Sequence, residues 1–273
     1  MDLSFSTLGC PGWTLRQVVE AARLYGFDGV ELRGIEGELD IRGLPDFTPG
    51  RIAQSRAVFE DAGIDIVSVD SSARLLHGET EMTRAHIEEA SDYIALANGL
   101  GAPLVRVFGG YLPQGLMPAD GARQLAANLS RLADRAKEMG VSIALETHEG
   151  FLTGKAVSEV MSLVDHEAVG VVWDISNCFW TGEPLEESAK WLAPYLSLVH
   201  VKDSVLRDGK AKLTLIGEGD VPIKKALRTL ADMGYDGYLS YEWEKVWQPD
   251  LPEAQAAFPQ YVEKMREYID ELR

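Results

Sequence analysis

Apolar positions along this chain fall into two alternating rhythms. Short runs rich in β-branched residues recur, each closing near a Gly, Asp, His or Glu. Between them lie longer stretches in which apolar residues return every three or four positions. The first rhythm is that of a buried strand, the second that of a helix with one face on a core. Strands are predicted at Leu3–Leu8, Gly29–Arg33, Ile64–Val69, Leu104–Phe108, Ser142–Thr147, Gly170–Asp174, Leu196–Val201 and Gly237–Glu242. The first helix opens on a capping box, Thr14-Leu15-Arg16-Gln17, and runs on through Val18, Val19, Ala22 and Leu24. Thr48-Pro49 offers a capping side chain and a first-turn proline to the second. Later helices are expected over Met82–Leu100, Ala119–Met139, Ala156–Val164, Leu185–Leu192, Ile223–Met233 and Ala254–Leu272.

Several helices end alike before the next strand, as in Tyr25-Gly26-Phe27-Asp28-Gly29, Asp61-Ala62-Gly63-Ile64, Glu138-Met139-Gly140-Val141 and Asp232-Met233-Gly234-Tyr235. A glycine stands there where a left-handed C-cap is wanted. Strand and helix alternating with short links make a parallel sheet. Eight repeats with no gap for a second domain predict an α/β fold, a (β/α)₈ TIM barrel occupying residues 1–273 as one domain. An open doubly wound sheet is the alternative, but none of its phosphate-loop signatures occurs. Gly217-Glu218-Gly219 follows no strand in a βαβ setting and reads as a loop turn. The irregular stretches 70–80, 109–118 and 243–253 each follow a strand, which in a barrel puts them on the catalytic face.

Charge narrows the partners. The formal net charge is −17, with no dense lysine or arginine cluster, so nucleic acid and anionic membrane surfaces are disfavoured. No apolar stretch approaches the roughly 20 residues that span a bilayer. Met1-Asp2-Leu3-Ser4-Phe5 lacks the basic start of a secretory signal. Cys10 and Cys178 stand far apart in no Cys-x-x-Cys pattern, which argues against disulfides or a thiolate zinc site and for a cytoplasmic location.

The chemistry gathers at the ends of the last four strands: Leu145-Glu146-Thr147-His148, Trp173-Asp174-Ile175-Ser176-Asn177, His200-Val201-Lys202-Asp203 and Tyr241-Glu242-Trp243-Glu244. Side chains alternate along a strand, so Glu146, Asp174, His200 and Glu242 can all point inward at one depth. Three carboxylates and an imidazole converging there would repel one another unless a cation sat among them. Each has a plainer reading, a helix cap for the carboxylates and a core hydrogen bond for the histidine; four together predict one divalent metal ion. An oxygen-rich set with one imidazole suits Mn²⁺ first, with Mg²⁺ or Co²⁺ as alternatives. Lys202 and His148 alternate inward with two of the ligands and can reach a substrate oxygen. Arg106 is a third candidate contact, or joins Glu31 and Arg33 in a buried ion network. Of the aromatic residues, Trp13 and Trp247 suit a sugar-stacking wall.

The chain resembles the sugar phosphate isomerase/epimerase superfamily, the xylose isomerase-like barrels. Members include ketose 3-epimerases, hydroxypyruvate isomerase, keto-inositol dehydratases and abasic-site endonucleases. The resemblance runs from Ser6-Thr7-Leu8-Gly9 and Gly26-Phe27-Asp28-Gly29-Val30-Glu31-Leu32-Arg33, through the four strand ends above, to Gly217-Glu218-Gly219 and Gly237-Tyr238-Leu239-Ser240-Tyr241-Glu242. It implies that Glu146 and Glu242 serve both as metal ligands and as the acid and base on opposite faces of a substrate carbon. The expected activity is therefore a metal-dependent isomerase or epimerase of a small sugar or polyol ketone, removing a proton next to the carbonyl. The alternative is a lyase on the same scaffold, dehydrating a keto-inositol or cleaving a 3-keto glycoside. The resemblance also implies a homo-oligomer. Two departures touch the substrate side. Asn177 stands where epimerases carry a histidine, and Arg207 is one residue off the place of their arginine. Both are carried as substrate-binding candidates, Arg207 with a solvated loop as its plainer reading. Abasic-site repair would need further histidines where Ser71, Arg106 and Leu213-Thr214-Leu215 stand. A non-catalytic sugar-binding barrel would be expected to have lost a ligand, and the ligand set is intact.

Overall fold

The computed structural model describes residues 1–272. The short apolar runs become strands whose residues are nearly all buried, because a parallel strand covered on both faces has no side that tolerates water. In chain order they are β1 (Asp2–Ser6), β2 (Gly29–Leu32), β3 (Asp65–Arg74), β4 (Leu104–Phe108), β5 (Ser142–Glu146), β6 (Val169–Asp174) and β7 (Leu196–Val201). A hairpin, β8 (Asp203–Arg207) and β9 (Lys210–Thr214), follows, and β10 (Tyr238–Tyr241) is last. The hairpin pairs antiparallel within itself. The other eight strands form a closed barrel in the hydrogen-bonded order β1-β10-β7-β6-β5-β4-β3-β2. This is the (β/α)₈ architecture the alternation predicts.

Close contacts divide the chain into two units, Ser68–Leu198 and the remainder, Met1–Val67 with the chain from Val199 onward. In the Ser68–Leu198 unit, β3, β4, β5 and β6 pair in parallel. Their helices are α3 (Thr80–Leu100), α4 (Pro118–Glu138), α5 (Gly154–Val164), the short α6 (Ile175–Trp180) and α7 (Leu185–Leu192). Register sets Arg106 beside Asp70, and Phe108 beside both Arg74 and Glu146.

In the other unit, β1 pairs with β2 and β10, and β10 with β7, so Ser240 lies beside His200 and Tyr241 beside Val201. The capping box of α1 (Leu15–Tyr25) forms as its spacing predicts, Thr14 accepting from the Gln17 amide and Gln17 from the Thr14 amide. The helix ends on Gly26 at φ 78°, where a side chain would be strained. After α8 (Ile223–Asp232), an aromatic layer fills this unit under α9 (Ala254–Asp270). Phe258 meets Phe5 at 4.4 Å and Tyr261 stacks on Tyr241 at 4.4 Å between ring centroids. A side chain at Gly9 would collide with the Phe258 ring, so the first strand-to-helix loop crosses α9 at a glycine.

Three local expectations are corrected. The second helix, α2 (Ile52–Ala62), begins after Thr48-Pro49, with Arg51 and not Thr48 at its N-cap. The Thr48 hydroxyl instead donates to the Pro45 carbonyl at 2.8 Å in a 3₁₀ turn. The stretch from residue 70 is still strand as far as Arg74: Ser71 donates to the Arg106 carbonyl at 2.9 Å, and after a shift of register past Asp70 the pairing with β4 resumes at Arg74. The hairpin after β7 follows from Asp208-Gly209, with φ of 51° and 75°, the left-handed pair that a tight hairpin turn demands. The segment after Gly209 completes that hairpin where the strand pattern had predicted only loop.

Candidate metal centre

Glu146 is the last residue of β5 and is fully buried. Two positions earlier in register, β4 supplies Arg106, whose Nε lies 3.2 Å from Glu146 Oε2. The same guanidinium donates to the Ser71 carbonyl at 3.0 Å, reaches Asp70 at 3.5 Å and lies over the Phe108 ring at 4.0 Å. A planar fork held on several sides is a fixed positive charge at the foot of Glu146. Asp174 ends β6 and is also the N-cap of α6, accepting from the Asn177 amide at 2.9 Å. Thr147 ties the two strand ends together, its hydroxyl accepting from the Asp174 amide at 2.8 Å. The capping role that a strand-end aspartate suggests is therefore real, and it engages one of two carboxylate oxygens.

In the other unit, His200 on β7 is fully buried. Its Nε2 lies 2.9 Å from Glu31 Oε2 on β2, and its Nδ1 lies 3.6 Å from Glu242 Oε1. Glu242 directly follows β10, with its amide donating to the Val201 carbonyl at 3.1 Å. Lys202 reaches Glu242 and Glu244, each at 2.5 Å. Burial works to raise the Glu242 carboxyl, but the Lys202 ammonium beside it outweighs burial and holds the group well below the usual carboxylate range. Glu242 is therefore ionised at neutral pH, as both cation binding and proton acceptance require.

Glu146, Asp174, His200 and Glu242 each offer a ligand atom, and these atoms lie within 4.8 Å of one another. Opposed ligands at roughly 2.1 Å from a divalent ion stand about 4.2 Å apart, so the span of this group is close to that of a coordination shell. All four are buried, and the set is three oxygen donors and one nitrogen donor. Such a group could hold a metal ion. The cysteines could not contribute: both are buried and unbridged, and burial pushes the Cys178 thiol up to about 12 and Cys10 higher still.

The remaining candidates divide. Arg106 meets Glu146, and Lys202 meets Glu242. Asn177 donates to the Thr147 carbonyl at 3.1 Å, bracing the β5 and β6 ends. The His148 ring lies 4.5 Å from that of Phe108. Arg207 ends β8 on the exposed hairpin, the solvated position that was its plainer reading. Trp13 packs edge-on against Phe258 at 6.0 Å, and Trp247 is exposed. Three participants went unassigned in sequence: Asp70 as a partner of Arg106, Glu244 as the second partner of Lys202, and Glu31 as the partner of His200. Asp70 and Glu244 carried a signal, an acid at or just past a strand end.

A closed parallel barrel with buried acids and a histidine at its strand ends defines a class of enzyme scaffold whose sites form at that face. Residues 19–268 match the family described as xylose isomerase-like TIM barrel, and the chain belongs to it. It is similar to an inosose dehydratase of Clostridium perfringens, 27% identical, covering 94% of this chain and 90% of that one. It is also similar to a fructoselysine 3-epimerase of Shigella flexneri, 24% identical, covering 89% and 90%. Among solved structures, the IOLI protein with a binding zinc atom superposes with a TM-score of 0.85 at 18% identity, covering 100% of this chain and 99% of that one.

Proposed function

We propose that this chain is a divalent-metal-dependent isomerase or epimerase of a sugar or polyol ketone, with Glu146, Asp174, His200 and Glu242 as metal ligands. The observation that carries the reading is the gathering of those four buried donors within 4.8 Å. A divalent cation, when bound, supplies the positive charge that polarises a ketone and its neighbouring hydroxyl and so acidifies the C–H between them. Glu146 and Glu242 are the acid and base: one carboxylate removes that proton and the other returns one. Delivery to the opposite face of the same carbon epimerises it, and delivery to the adjacent carbon exchanges aldose and ketose. Lys202 keeps Glu242 ionised, and Arg106 lies against Glu146 and aims it. The zinc of the IOLI protein supports a metal at such a site, and Mn²⁺ suits this oxygen-rich set. The substrate is taken to be a small polyol ketone, as the relatives' names suggest. The free buried thiols fit a reducing, cytoplasmic setting.

A second reading is a dehydratase, favoured by the inosose dehydratase likeness over 94% of the chain. Its first step is the same proton removal, after which a β-hydroxyl departs, and the Lys202 ammonium is a proton donor suited to that departure.

Incubation of the protein with ketoses and keto-inositols in D₂O, with Mn²⁺ and again after exhaustive chelation, tests both. Deuterium entering a substrate that keeps its hydroxyls supports the first reading, and loss of water supports the second. Both should cease on chelation and return with Mn²⁺. Full activity in protein shown to be metal-free by elemental analysis would overturn the metal role.

A further inference from the structure

The imidazole of His200 offers two nitrogens, and a ligand set says nothing about which one faces the cation. The structure distinguishes them. Nε2 lies 2.9 Å from Glu31 Oε2, with both side chains wholly buried. Nδ1 lies on the side of Glu242, 3.6 Å from Oε1, which is itself a member of the gathered set. We propose that Glu31 is the positioning residue of this centre: its carboxylate holds the proton on Nε2 of His200, leaving the Nδ1 lone pair as the metal-binding atom. The inference rests on the metal reading above and assigns one more residue to it.

The chemistry follows from what a carboxylate can do. An ionised carboxylate only accepts, so a 2.9 Å contact to a ring nitrogen requires the hydrogen to be on that nitrogen. In the neutral ring the other nitrogen then has no hydrogen and is a donor to a cation. The acceptor also fixes the ring plane and pushes electron density onto the ligating atom, as carboxylate partners of metal-bound histidines do. The backbone of Glu31 is fixed by the barrel. It pairs in register with Ser6, and just beyond it the Thr7 hydroxyl accepts from the Arg33 and Gly34 amides at 2.9 and 3.0 Å, anchoring the end of β2. Glu31 stands outside the gathered ligand set, behind the histidine.

The test uses the full chain with Glu31→Gln and, as a second variant without an acceptor, Glu31→Met. Two quantities are read. One is Mn²⁺ and Zn²⁺ affinity by titration calorimetry. The other is the tautomer of His200 in metal-free, ¹⁵N-histidine-labelled protein by long-range ¹H–¹⁵N correlation, the signal being picked out from the five histidines by its loss in His200→Gln. Wild type should show Nε2–H with Nδ1 bare. Both variants should bind metal about 10–100-fold more weakly, and Glu31→Met, which leaves Nε2 no acceptor, should show the Nδ1–H form, while their metal-free melting curves report whether the barrel is intact. An Nδ1–H tautomer in wild type overturns the inference even if neither variant folds. So do unchanged affinity and tautomer in folded Glu31→Met. A wild type that holds the Nε2–H form yet binds neither ion overturns the metal reading instead, so the two failures are told apart.

Discussion

Glu146 and Glu242 share a residue type and a place at a strand end but not an environment. Glu146 leans on a guanidinium that several other groups also hold, whereas Glu242 shares a buried ammonium with Glu244 and faces His200. The acid/base roles assigned to them predict a specific asymmetry. Glu146→Gln and Glu242→Gln each keep an oxygen for the cation and lose the base, so turnover should fall by roughly 10² or more in either. The variant that retains the proton-removing carboxylate should still wash substrate hydrogen into D₂O without forming product, and the other should do neither. Near-normal turnover in both, with metal bound, would move the acid/base role to His148 or Lys202.

At the scale of an element, the loop after the hairpin shows how one buried carboxylate organises a whole connection. Asp203 opens β8 and is buried, and it accepts from the amides of Ser204, Gly217, Gly219 and Val221 at 2.8, 2.8, 3.0 and 3.2 Å. The Gly-Glu-Gly turn that sequence marks only as a loop is therefore the wrapping around an anion. A Cβ at Gly219 would overlap the Asp203 carboxylate. Asp203→Ala strands several buried N–H groups, each costing about 1–3 kcal/mol, and should lower stability by about 3 kcal/mol or more in urea denaturation. Gly219→Ala keeps the carboxylate but drives a Cβ against it, and should do comparable damage. Stability within about 0.5 kcal/mol of wild type in both would show that the loop is held by something else.

For the whole molecule, the gathered donors come from in or just after four of the eight strands of one closed barrel, so an ion bound to them is bound only by folded chain. Folding and metal binding are then linked. Mn²⁺ at 100 times its Kd should add about 2.7 kcal/mol of stability, and each kcal/mol should raise Tm by roughly 2–4 °C. Asp174→Ala and His200→Ala should remain folded without metal yet lose that response along with their bound ion. An equal rise in Tm in wild type and both variants would mean that Mn²⁺ acts elsewhere, for instance by screening the −17 net charge.

What sequence alone determined here is what local periodicity and burial control. Each of the eight barrel strands is a run short enough and apolar enough to read by itself, and α1 carries its own cap. The convergence of Glu146, Asp174, His200 and Glu242 was legible for the same reason, since once a barrel closes, strand ends meet at one face. The hairpin at Asp208-Gly209 carries its own turn signal, although it lies outside the strand-helix alternation of the barrel. Partners were another matter. Arg106 was a candidate for the substrate or for Glu31 and Arg33, and the structure sets it against Glu146 and Asp70. Asn177, read as a sugar contact, braces a strand end, and Glu31 meets a histidine 169 residues away. A hydrogen bond depends on tenths of an ångström between chains brought together by register and packing, and no pattern local to either residue encodes that distance. Hydrophobic periodicity could specify which residues reach the barrel mouth; only the folded chain could decide which of them touch.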